Sequence, residues 1–197
     1  METKILEILE FLQNAGSIDW SACDSEGTTA MFHACGKKHT DTVKYWVEKC
    51  NADLSFGTSD GRTPLFLAAC SKGSVRITDY ALSRIKDGSG GWVDIDSLEH
   101  AGGTLLHAAC EGENPLLVKL LVDKYHANPH TRNHVGVTPL HVAARVGCVE
   151  VVKYLVNVCK SGLFAQDICG IIPLHLACKC GHYTTTASLL LDGSHET

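Results

Sequence analysis

The chain has 197 residues, of which 45% are apolar and 20% charged, and its 17 Lys and Arg against 22 Asp and Glu leave a net charge of −5. This composition excludes a disordered chain, and the excess of acid gives no reason to expect binding to a nucleic-acid backbone. With 18 Gly and 5 Pro it is neither collagen-like nor low-complexity, and no run of about 18 apolar residues marks a membrane-spanning helix.

Met1-Glu2-Thr3-Lys4, followed by Glu7 and Glu10, does not read as a secretion signal. The ten cysteines are therefore expected as reduced thiols in the cytoplasm, with the nucleus as the alternative compartment, packed as small apolar side chains.

In chain order, Ile5, Leu6, Ile8, Leu9 and Leu12 form one apolar stripe ended by Asn14-Ala15-Gly16, which predicts a capping helix within 1–22. Five similar segments follow. They are Gly27-Thr28-Thr29-Ala30-Met31-Phe32, Gly61-Arg62-Thr63-Pro64-Leu65-Phe66, Gly102-Gly103-Thr104-Leu105-Leu106-His107, Gly136-Val137-Thr138-Pro139-Leu140-His141 and Gly170-Ile171-Ile172-Pro173-Leu174-His175. Their anchors at 29, 63, 104, 138 and 172 are spaced by 34, 41, 34 and 34 residues. A period of this size predicts an array of stacked supersecondary units. The units are expected at 23–56, 57–97, 98–131, 132–165 and 166–197.

Each unit carries its own start signals. Pro64, Pro139 and Pro173 stand where a first helical turn needs no N–H donor, and the Thr before two of them can cap the helix. Ala and Cys pairs then allow close helix approach. A turn at Gly147 or Gly181 leads to a second helix, read in the fourth unit from Val149, Val152, Leu155 and Val156. Asn51-Ala52-Asp53, Ala127-Asn128-Pro129 and Ser161-Gly162 end the second helices. The extra residue behind a period of 34 falls near Cys50-Asn51 and Tyr125-His126, where a left-handed residue is expected. The second unit is longer, with an insertion near 87–91 rich in Gly and Ser that reads as a loop. Thr184, Thr185, Thr186 and Ser188 replace Val or Leu in the last unit and predict a polar outer cap; a piece cut from a longer array is the alternative.

The Thr-Pro-Leu-His-x-Ala pattern, complete in Thr138-Pro139-Leu140-His141-Val142-Ala143, resembles the ankyrin repeat family over nearly the whole chain. The resemblance implies an all-α solenoid of helix-turn-helix units with projecting β-hairpin fingers. It implies binding of a partner protein, a peptide or a folded domain, across a concave surface of finger tips and first helices, by a monomer without catalysis or cofactor. Carried over unit by unit, the finger positions include Arg62, His100, Arg132, His134, Val135, Ile168, Cys169 and Ile171. The first-helix positions include Val142, Arg145, Val146, Leu176 and Lys179. Apolar residues here beside Arg132, Arg145 and Lys179 read as a patch with a basic rim, suited to a partner with hydrophobic anchors and Asp or Glu. The alternative is that some of these side chains pack between neighbouring fingers.

Three other signals give way to structural readings. Gly57-Thr58-Ser59-Asp60-Gly61 has the spacing of a nucleophile elbow but sits in a finger, without the required strand before it. His107, His141 and His175 recur at one repeat position, and the resemblance implies hydrogen bonds to backbone between repeats. Cys178, Cys180 and His182 could ligate zinc, yet their spacing is no paired Cys framework, and Cys178 aligns with Cys35 and Cys110 at a position expected to be buried. Cys169 and Cys180 are expected to be exposed. His126, His130 and His134 read as solvated finger residues, since Pro129 interrupts any helix. Two further functions compete with a stand-alone binding module: a regulatory domain of a longer enzyme, channel or scaffold, and a Cys/His metal- or redox-responsive module.

Overall fold

A computed structural model of the chain describes residues 8, 11, 19, 22–50, 52, 54, 58, 62–72, 75–86, 95–98 and 102–193. The chain divides into two compact units, Met1–Val93 and Asp94–Thr197. The first contains α1 (Ala30–Gly36), α2 (Thr40–Lys49), α3 (Pro64–Cys70) and α4 (Val75–Lys86). The second contains α5 (Leu105–Glu111), α6 (Pro115–Asp123), α7 (Pro139–Val146), α8 (Val149–Asn157), α9 (Pro173–Lys179) and α10 (Tyr183–Gly193). Each consecutive pair, short helix then longer helix, is one repeat.

Within the first unit α1 packs on α3 and α2 on α4. Within the second, α5, α7 and α9 form one row, and α6, α8 and α10 form another behind it. The predicted all-α solenoid is thus the observed architecture. Small residues make the inner rows close. Ala34, Cys35, Ala68 and Ala69 are buried in the first unit, and Ala108, Ala109, Cys110, Ala143 and Ala144 in the second. The second row supplies the bulk of the core through Val43, Ile77, Leu117, Val118, Leu121, Val151, Val152 and Leu155.

The helix starts follow the expected chemistry. The hydroxyls of Thr29, Thr63, Thr104 and Thr138 accept from the backbone N–H three residues on, at 3.3, 3.1, 3.4 and 3.4 Å. Ile172 has no hydroxyl to do so, and α9 starts without that cap.

The fingers are shorter than hairpins with extended strands. Among the described residues the only extended pairing is an isolated antiparallel bridge between Cys23 and Thr29. The fingers described at 24–28, 133–137 and 167–171 are instead tight turns, each closed by two backbone bonds, such as Asn133 N to Val137 O and Gly136 N to Asn133 O, both 2.9 Å. A side-chain oxygen at the turn's first residue fixes it from inside. Asp24 Oδ1, Asn133 Oδ1 and Asp167 Oδ1 each accept from the N–H groups two and four residues on, at 2.8–3.0 Å.

The left-handed residue expected at the end of a second helix is found at His126 (φ 58°), and Lys160 (φ 53°) stands at the same place one repeat later. The turn between the two helices of a repeat has the same need. Gly147 meets it at φ 87°, whereas Lys38 (φ 63°) and Glu113 (φ 49°) meet it without being glycine. The insertion at 87–91 lies outside the described residues. Of the N-terminal stripe, Ile8 is described and is exposed.

Candidate protein-binding surface

The second unit brings fingers and first helices together by contacts that recur at the repeat period. His107 and His141 are buried at the third position of α5 and α7. In each, Nδ1 accepts from the N–H of the capping threonine, Thr104 at 3.2 Å and Thr138 at 3.1 Å. That leaves Nε2–H to donate to a carbonyl of the following finger: His107 to Val137 O and His141 to Ile171 O, both 3.0 Å. One neutral ring therefore ties helix start to next finger. Burial, the largest cause in each case, holds both imidazoles below their ordinary 6.5.

The fingers are also joined to each other. Ile168 N donates to Val135 O at 3.1 Å. The Arg132 guanidinium donates to the Gln166 carbonyl, so this cation braces neighbouring fingers. Further along the inner row Arg145 pairs with Glu111 at 3.2 Å, with both side chains about half exposed. An exposed pair of this kind contributes about 0–1 kcal/mol, so its effect is to order the surface more than to hold the fold.

The expected site residues fall into three groups. Exposed are Arg62, Arg132, His134, Val135, Arg145, Ile168, Cys169 and Lys179, with Ile168 at 72% and Val135 at 46% of full exposure. Half-buried are Val146, Ile171 and Leu176. Val142, on α7, is buried and presents little surface to a partner. His100 lies outside the described residues. Val135 and Ile168 are the exposed apolar pair at adjacent finger tips, with Lys179 and the Arg145–Glu111 pair along the inner helices.

Two expectations about buried positions are corrected. Cys178 is exposed, unlike Cys35 and Cys110, because no described element lies against that side of α9. His175 is likewise exposed and donates to no following finger. Of the polar outer cap expected from Thr184, Thr185, Thr186 and Ser188, Thr184 is exposed and Thr186 half-buried, but the other two differ. Thr185 and Ser188 are buried, and Thr185 Oγ1 donates to Gly147 O at 3.1 Å, which turns the hydroxyl inward against the fourth repeat.

The thiols divide by environment. Burial pushes the Cys35 thiol up to about 12 and Cys110 higher, so neither is a ready nucleophile. Cys169 and Cys180 are exposed as expected. No group of three His, Cys, Asp or Glu side chains able to hold a metal ion occurs among the described residues. His182 does not turn toward Cys178 and Cys180; its Nε2 bonds Arg145 O at 2.9 Å. The elbow-like segment 57–61 is described only at Thr58, which is bonded to Arg62. No helix among the described residues is long and apolar enough to cross a membrane. What sequence reasoning missed is the Arg132 brace and the Asn133 and Asp167 turn anchors. The Asn/Asp-x-x-Gly spacing at Asp24, Asn133 and Asp167 was the signal for the turn anchors.

Comparison with known proteins agrees with the geometry. The profile for ankyrin repeats (three copies) matches residues 2–88 and 81–163, and that for ankyrin repeats (many copies) matches 140–191. The chain belongs to the ankyrin repeat family, whose members are in general protein–protein interaction modules. A probable serine/threonine-protein kinase of Dictyostelium discoideum is 28% identical over 104 residues, which is 53% of this chain and 10% of that protein. The matched stretch spans only that tenth of the kinase's length.

Proposed function

We propose that the second unit is a non-catalytic docking site for a protein segment, seated on the finger tips and the inner row of helices. The observation that carries this reading is the exposed apolar pair Val135 and Ile168 on adjacent, mutually bonded fingers. Their backbones are already fixed by turn anchors and by Arg132, so a partner need not order them on binding. Lys179 is exposed on the same row as the Arg145–Glu111 pair. The partner then offers apolar side chains to the tips and an Asp or Glu to Lys179. The ten free thiols fit a reducing cytoplasmic or nuclear setting, and nothing in the reading requires more than a monomer.

The test compares proteins captured by the native chain with those captured by Val135→Glu/Ile168→Glu. Both side chains are exposed, so the variant is expected to keep its circular dichroism spectrum. A partner held by the native chain and lost by the folded variant supports the reading. Partners held equally by both place binding elsewhere and sink it. A second reading makes the chain a regulatory part of a longer enzyme. What favours it is the match to one tenth of a probable kinase. Kinase activity in the parent polypeptide that changes when the partner binds would support it.

A further inference from the structure

Each repeat runs from its finger along the first helix to a turn, so the turns of a unit line the edge opposite its fingers. In the first unit α1 packs on α3, and a Cβ added at Gly36, the end of α1, would stand 2.9 Å from Leu67 Cδ2. The turns that follow these two helices therefore leave side by side. The first carries Lys37, Lys38 and His39, the second carries Lys72, and Arg76 stands in the first turn of α4. All five side chains are exposed, and Asp41 is the one exposed carboxylate among the described residues of 36–41 and 71–76. Lys37, Lys38, His39 and Arg76 form no ion pair among the described residues. Their backbone is held in place: Lys38 N–H donates to Cys35 O at 3.2 Å and His39 N–H to Ala34 O at 3.0 Å.

The fold does not require this charge. At the same edge of the second unit Glu111 and Glu113 stand in the third repeat, and Arg145, paired with Glu111, stands in the fourth. Nor does the backbone favour it. Lys38 holds φ 63°, the left-handed conformation that Gly147 and Gly181 hold at φ 87° and 76° without a side chain to strain. The first repeat keeps a cation where glycine would relieve the backbone, and strain of this kind collects at binding sites.

We propose that the Lys37–His39 turn, with Lys72 and Arg76, is a docking edge for an acidic segment of a partner protein. The cations call for carboxylates, and their backbone needs no ordering to receive them. No exposed large apolar side chain stands among the described residues of this edge, so a bilayer would find no anchor there. A long polyanion such as a nucleic acid would run past the patch onto a chain whose net charge is −5. A short run of Asp and Glu meets the cations and stops. This edge lies in the first unit, so the inference is independent of the finger-tip reading and stands or falls separately.

The test uses the whole chain and a dye-labelled peptide of alternating Glu and Gly, about twelve residues long, with fluorescence anisotropy at low salt, where exposed charges are least screened. The native chain should bind the peptide. Lys37→Glu/Lys72→Glu should weaken binding about tenfold or more with an unchanged circular dichroism spectrum, since reversed charges repel the ligand. Lys153→Glu/Lys160→Glu makes the same change of net charge at exposed sites of the second unit and should weaken it about twofold or less. Lys38→Gly is the sharper variant: it should raise the unfolding midpoint and still weaken binding about threefold. Glu113→Gly relieves the same conformation in the second unit and should raise the midpoint without weakening binding. A native chain that does not bind the peptide overturns the proposal. So does equal weakening by the two double variants, which would make the attraction one of net charge alone, and so does Lys38→Gly binding as well as the native chain. Tighter binding of an oligothymidylate of equal charge, or of vesicles containing anionic lipid, overturns the choice of an acidic protein segment.

Discussion

The two units solve one junction in two ways. In Asp94–Thr197 the third residue of the first helix is His107 or His141, and each ring spans from a helix cap to a carbonyl of the next finger. In Met1–Val93 the same position holds Phe32 and Phe66, which fill space and form no such tie; Phe66 is buried and Phe32 half-buried. The first unit places its histidine one residue later. There His33 is exposed and sits with Thr28 and Asp24 on the finger itself. A directional bond fixes the distance between finger and helix, whereas an aromatic ring fixes only volume. In the second unit the fingers are also joined to one another, by Ile168 N to Val135 O and by Arg132 to the Gln166 carbonyl.

The most direct way to break the contrast is to give the second unit the first unit's solution. His141→Phe removes a buried donor and acceptor together, strands the Thr138 N–H, leaves Ile171 O with only the Asp167 N–H, and adds volume at a fully buried site. The expected loss is about 3 kcal/mol in denaturant unfolding followed by far-ultraviolet circular dichroism. Trp20, Trp46 and Trp92 all lie in Met1–Val93, so tryptophan fluorescence follows the first unit. An unchanged dichroism transition would mean that the histidine tie contributes nothing that packing does not.

The reverse change sharpens the contrast from the other side. Val43, Val118 and Val152 occupy the fourth position of their second helices and are fully buried. The first unit's α4 has Thr78 there, equally buried, and its hydroxyl finds no hydrogen-bond partner among the described residues. Thr78→Val should stabilise by about 1 kcal/mol, seen as a later tryptophan fluorescence transition. A loss instead would mean that the hydroxyl is satisfied in solution.

The fold was legible because five anchors repeat and each start signal has a local cause. The Thr caps, the prolines at first-turn positions and the small Ala and Cys pairs all act within a few residues of themselves, so sequence alone carries them. The site was legible only in part. Val135 and Ile168 are exposed as a finger position implies, but Val142 and Cys178 show what one repeat's pattern cannot give. Val142 is buried although its first-helix position implied a surface residue. Cys178 is exposed although its equivalents are buried, because burial at that position is conferred by the next repeat and not by the residue. Arg132 carried the charge expected of a rim, while its bond to the Gln166 carbonyl depends on a finger 34 residues away.

A smaller effect tests how far the turns differ. Lys38 and Glu113 hold left-handed backbone where Gly147 stands in the fourth repeat. Lys38→Gly and Glu113→Gly should each relieve that conformation. Part of the gain is lost to the freer unfolded chain, which leaves a net of about 0.5 kcal/mol in favour of folding. The pair distributes one substitution to each unit, so fluorescence should detect the first and dichroism both. A destabilising result at either position would show that its side chain makes a contact outweighing the strain.

The smallest effects separate the units by pH. His107 and His141 are held below 6.5 by burial, so the unfolded chain binds their protons more readily than the folded one. Their contribution is therefore complete above pH 6.5 and is lost as pH falls below it. Protonation at Nδ1 would also displace the N–H that Thr104 or Thr138 donates there. Asp24 works in a lower window. Its carboxyl is lowered from 3.8 to about 2, chiefly by the Thr28 hydroxyl and then the Thr28 N–H, with smaller help from Glu26 N–H and His33. That contribution is complete above 3.8 and is lost as pH falls toward about 2. Between about pH 6 and 4, then, amide protection should fall in α7 while α1 keeps its own, by hydrogen exchange corrected for intrinsic rates. Replacing Phe32 with His tests whether the tie can be moved. The carbonyl 30 residues on is Arg62 O, which already accepts from Thr58 N as Val137 O does from Asn133 N. A ring there that reaches Arg62 O should bring the weakening below pH 6.5 into the first unit. A first unit still insensitive down to pH 4 would show that its finger stands at a different distance from its helix, and that aromatic packing is the junction it was built around.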